Sequence, residues 1–166
     1  MKDKIIDFYL NNALLLDGVT IIIVWILNSN FSLFAFVSND KEKNIDILSD
    51  IIAASISLAG FILASLTIIA AIKSNISSRS LENARNPLEL FFSPGNYRSI
   101  ISVFKGSIAE LTFTFIAAYI VWISVENFSN DLLLKVIVSF VIIISISVIR
   151  SLIVLFKIIN INDQVT

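Results

Sequence analysis

The sequence predicts an all-α integral membrane protein: four transmembrane helices with a short amphipathic cytoplasmic segment, assembled as an oligomer. Three observations carry this. The 166 residues are 57% hydrophobic with a mean hydropathy of +0.89, against about 45–50% apolar residues in an ordinary soluble domain. Several apolar runs reach membrane length. The clearest, IIAASISLAGFILASLTIIAAI at 51–72, carries no charge between Asp50 and Lys73. At about 1.5 Å per residue it would cover about 33 Å, enough for a bilayer core of roughly 30 Å. Third, Ala53, Ser57, Gly60, Ala64, Thr67 and Ala71 recur within it at alternating four- and three-residue spacing, a stripe of small residues on one helix face. Lipid supplies no hydrophobic drive to join helices, so close backbone approach across such a stripe does that work.

The first span is the least regular. Residues 1–12 form a polar-apolar lead in which Ile5, Phe8 and Tyr9 suit the interface and Lys2 and Lys4 suit water. No small-x-small cleavage site follows the first apolar run, so it reads as an anchor. Asp17 and the Asn28-Ser29-Asn30 triplet interrupt a span of about 13–36. A span ending near Leu27 is the alternative. Because backbone in lipid must be paired, a continuous helix bent at the triplet is preferred. The charged segment NDKEKNIDILSD then reads as a loop before the 51–72 span.

The longest polar stretch, 73–106, reads as the cytoplasmic loop. Asn86 before Pro87 suits a helix start, with Glu89 in the position of a capping-box acid. Leu88, Phe91 and Phe92 then share one face. Ser93-Pro94-Gly95-Asn96 reads as a turn. The segment from Tyr97 to Lys105 is amphipathic and runs into a third span at about 107–126. Glu126, Asn127, Ser129, Asn130 and Asp131 make a short turn. The fourth run, with a span at 132–158, is longer than a bilayer needs. Lys135 and Arg150 interrupt it, and Ser139, Ser145, Ser147 and Ser151 add polar spots. A long tilted or protruding helix fits it better than a break.

One membrane domain occupies the chain. Lysine and arginine bias sets orientation: Lys2, Lys4, Lys73, Arg79, Arg85, Arg98, Lys105 and Lys157 fall on one side, against Lys41, Lys43 and Lys135 on the other. Both termini are therefore expected in the cytoplasm. The formal net charge of −1 says little about partners, because the charges are segregated by segment. The chain has no cysteine and no histidine. That excludes disulfides, thiol nucleophiles, Cys- or His-ligated haem and the usual zinc sites. No nucleophile, base and carboxylate stand in recognisable spacing, so no enzyme, cofactor or metal is expected. Four spans with no obvious inverted repeat also speak against a transporter unless the chain dimerises.

Three groups of residues are candidates for function. Ser57, Gly60, Ala64 and Thr67 form either a tight helix contact or, through the two hydroxyls, the lining of a narrow oligomeric pore. Charges at membrane depth are costly and functional by default. Asp17, Glu110 and Arg150 should all lie in the cytoplasmic half, where a Glu110–Arg150 pair can form. The readings left open are a snorkelling Arg150 with a hydrated Glu110, a structural ion pair, and a gate or ion-coordinating site. Arg79, Arg85, Arg98 and Lys105 either meet anionic lipid headgroups or bind an anionic ligand such as a nucleotide or short oligonucleotide, with Phe91, Phe92 or Tyr97 available for stacking. An accessory or immunity-type membrane subunit, docking a protein partner through this basic loop, is the rival function.

The stretches SLAGFILASLTIIAAI and LELFFSPGNYRSIISVFKGSIAELTF, over about 50–126, resemble small bacterial membrane effectors of anti-phage defence operons. The layout is similar to the channel effector of the Hailong system. The resemblance implies a homotetrameric ion channel held shut by DNA oligomers from a partner nucleotidyltransferase. Infection would open it and kill the cell by depolarisation. No residue role is carried over from it.

Overall fold

The computed structural model of the chain describes residues 13–31, 34, 40–75 and 94–163. Among these are four α-helices: α1 (Ala13–Phe31), α2 (Lys41–Asn75), α3 (Pro94–Ile123) and α4 (Asn130–Asp163), with a 3-10 turn at Val125–Asn127 between the last two. Three stretches, Lys41–Ser74, Tyr97–Ile123 and Asn130–Phe156, are long and apolar enough to cross a membrane, while Leu15–Phe31 is a shorter apolar helix. The expected all-helical membrane fold is therefore present, with three membrane-length helices where four spans were expected.

Within α1, polar side chains bond back to their own helix: Thr20 Oγ1 donates to the Leu16 carbonyl at 2.8 Å and Asn30 Nδ2 to that of Ile26 at 3.0 Å. The helix runs through the Asn-Ser-Asn triplet but ends at Phe31, short of the expected 36. Asn28 Oδ1 accepts the backbone N–H of Phe34 at 2.9 Å.

The segment expected to be a loop before residue 51 is helical from Lys41. Asp40 caps it: its Oδ1 accepts the Glu42 N–H at 3.1 Å. Glu42 then sits favourably in the first turn. Asn44, Leu48 and Ile51 follow at i, i+4, i+7 and are all buried. Burial of that face is what converts a charged sequence into helix. Pro94, expected in a turn, instead opens α3, where its fixed φ and missing N–H cost nothing. The expected helix beginning at Asn86-Pro87 lies outside the described residues.

The third span ends at Ile123 rather than 126, because the chain tightens there into the 3-10 turn. Ser129 starts α4, its carbonyl accepting from Leu133 N at 2.9 Å. Neither Lys135 nor Arg150 breaks that helix, and it overruns the expected 132–158 at both ends.

Cross-helix contacts set the directions. Lys41 Nζ meets Glu126 Oε2 at 3.0 Å, so α2 runs against α3. Ala118 and Val121 share a cluster with Leu133 and Ile137, and Ile100 and Phe104 share one with Val154, so α3 runs against α4. Asp17 meets Arg150 and Trp25 meets Ser139, so α1 runs against α4. Two apolar clusters fill the α2–α3–α4 interface. One centres on Ile62, Ile69, Phe104, Leu111 and Val154, the other on Leu48, Ala118, Val121, Leu133 and Phe140. Phe113, Ile120, Ile149, Ile153 and Phe156 point outward. Such a surface suits lipid and is a liability in water.

A buried charged cluster as candidate functional site

Arg150 lies at the centre of the site, 2% exposed. Its Nη1 donates to Asp17 Oδ2 on α1 at 2.9 Å, and its Nη2 to Glu110 Oε2 on α3 at 2.5 Å. Ser107 Oγ accepts from Nη2 at 3.2 Å and from Nε at 3.4 Å, and donates to the Ser147 carbonyl at 3.2 Å. Ser147 Oγ makes a further short hydrogen bond to Glu110 Oε2. Asp17 and Glu110 are each 4% exposed.

Local geometry explains the convergence. Ser107 and Glu110 are i, i+3 on α3, and Ser147 and Arg150 are i, i+3 on α4, so each pair shares a face. Serines at 107 and 147 keep the helices close and supply the hydroxyls that a packed guanidinium needs. Thr114, one turn further along, donates to the Glu110 carbonyl at 2.8 Å. The Arg150 fork thus makes its four hydrogen bonds, to Asp17, Ser107 and Glu110, only where three helices converge. Glu110 Oε1 is buried with no hydrogen-bond partner among the described residues.

The three charges named from the sequence are therefore brought together, and the pairing of Glu110 with Arg150 is present. Burial rules out a snorkelling arginine. Along the apolar stretches, Glu110 is the central residue of Tyr97–Ile123, while Arg150 lies towards the end of Asn130–Phe156 and Asp17 at the start of Leu15–Phe31. Ser107 was not singled out from the sequence. Its only signal is the i, i+3 relation to Glu110.

The small-residue stripe behaves differently. Ser57, Gly60, Ala64 and Thr67, with Ala53 and Ala71, are all exposed, and a Cβ built on Gly60 would meet nothing within 4 Å. Thr67 Oγ1 bonds the Leu63 carbonyl of its own helix at 2.9 Å. Ile62 and Ile69, from the opposite face of α2, are buried. Of the basic candidates, Arg98 and Lys105 are exposed on α3, seven residues and so two turns apart on one face, while Arg79 and Arg85 lie outside the described residues. Among the described residues no group of acidic side chains is placed to hold a metal. No family model, no curated protein and no solved structure matches this chain.

Proposed function

We propose that this protein is an oligomeric ion channel or pore-forming effector of the bacterial inner membrane. A nucleotide or oligonucleotide anion gates it, and it acts in anti-phage abortive infection. The observation that carries the reading is the small-residue face of α2, exposed along its whole length. A protomer that buries Ile62 and Ile69 on one face of α2 and leaves this stripe of small residues open is suited to close packing with other copies. In a tetramer, the number the resemblance implies, Ser57 and Thr67 would line the axis. A fourth span formed by α1 and both termini in the cytoplasm complete the arrangement.

Gating follows from connectivity. Arg98, Lys105 and Glu110 lie on one continuous helix, so an anion held by the two basic residues acts on the helix that carries one arm of the charged cluster. A ligand shifts a closed–open equilibrium only by its difference in affinity for the two states. A polyanion bridging basic residues of several subunits has such a difference if opening separates them. The test is planar-bilayer recording of the purified protein together with a membrane-potential dye in expressing cells. Conductance that responds to short DNA or nucleotides supports the channel. Absence of both conductance and depolarisation under every ligand tried supports the accessory subunit instead.

A further inference from the structure

We propose that α1 is a detachable latch on a self-sufficient α2–α3–α4 bundle, with the Asp17–Arg150 contact as its clasp. The inference is independent of the channel reading, and its test needs no conductance.

Among the described residues, neither apolar cluster includes one from α1. Leu15, Val19, Ile22, Ile23 and Ile26 are exposed. In a bilayer such side chains are as well placed beside lipid as beside protein, so they set no strong preference for α1 being docked. What marks the docked position is polar: Asp17 to Arg150 at 2.9 Å, and Trp25 Nε1 donating to Ser139 Oγ at 3.0 Å.

The composition of the cluster adds a second argument. It joins one guanidinium to two carboxylates, of which Asp17 alone comes from α1. Without α1, Glu110 alone balances Arg150, and Ser107 and Ser147 still hold the pair. On α2, no charged residue stands between Asp50 and Lys73. Docking therefore gains a charge-assisted hydrogen bond but buries a charge that the bundle does not need. These terms oppose one another for buried groups, and their difference decides whether α1 stays docked.

The absence of cysteine allows paired spin labels without background. Cysteines replacing the exposed Ile22 and Ile149 report the α1–α4 distance by pulsed EPR. Cysteines replacing the exposed Ile68 and Phe156 report the α2–α4 distance. The full chain is placed in lipid nanodiscs and diluted with unlabelled chain. Asp17→Asn is expected to raise the undocked α1 population several-fold while the α2–α4 distance stays fixed. Trp25→Phe, which removes the indole donor, is expected to move α1 the same way by less. Glu110→Gln keeps the clasp and is expected to leave α1 docked. An unchanged α1–α4 distance in Asp17→Asn overturns the proposal. So does a shift of both distances together, which would make α1 part of the bundle's own core.

Discussion

Arg150 pairs with carboxylates on two other helices, which makes its replacement more damaging than that of either partner. Arg150→Met takes the guanidinium away from the buried Asp17 and Glu110 carboxylates, and removing one partner of a buried pair costs about 3–5 kcal/mol. The expected outcome is a large drop in the thermal midpoint in detergent. Combining Arg150→Met with Glu110→Gln should cost less than the sum of the two single changes, because the second removes the charge that the first strands. A double-mutant cycle reads this coupling directly, and strict additivity would show that the pair is not energetically linked. Ser107→Ala removes the hydroxyl facing both Nη2 and Nε of Arg150. An unmet buried donor costs about 1–3 kcal/mol, so a smaller fall in the same midpoint is expected.

At the scale of elements, α2 has two faces with different tasks, and the open one makes a clean prediction. A Cβ at Gly60 meets nothing within 4 Å in its own protomer, so Gly60→Leu should leave the folded monomer's stability unchanged. If copies pack across this face, the substitution should sharply reduce disulfide cross-linking between subunits carrying Ser57→Cys or Ala64→Cys. Absence of any intersubunit product from those cysteines in native membranes would remove the oligomer contact from α2. The helices themselves were largely legible in the sequence. Their cores announce themselves by hydropathy, and the charges at 17, 110 and 150 stand out against apolar neighbours. The start of α2 was missed because Lys41, Glu42, Lys43 and Asp46 outweigh Leu48 in any hydropathy window. The i, i+4, i+7 spacing of Asn44, Leu48 and Ile51 was the better guide. Ser107 was illegible for another reason: a lone serine in an apolar run is common, and what faces it across α4 sets its role.

For the whole molecule, the alternating directions of α1 to α4 put the start of α3 and the end of α2 at one end of the bundle, with Arg98 and Lys105 exposed towards it. Charge reversal at either residue should alter the ligand response in bilayer recordings. Reversal at Lys43, exposed near the other end, should not. Lys41 is a poorer control, since it pairs with Glu126. A reporter active only in the periplasm, fused after Thr166, should be silent; activity would reverse the orientation or change the span count. The Glu110–Arg150 pair also bears on how the chain is made. A charged residue such as Arg at the centre of a lone helix raises its insertion cost by about 2.5–3.5 kcal/mol. Here the two charges arrive on successive helices separated only by residues 124–129. At the translocon, α3 would enter the bilayer burdened by its carboxylate until α4 emerges from the ribosome and brings the counterion. The hairpin is thus the natural unit of biosynthesis, with the later helix escorting the earlier one into the membrane.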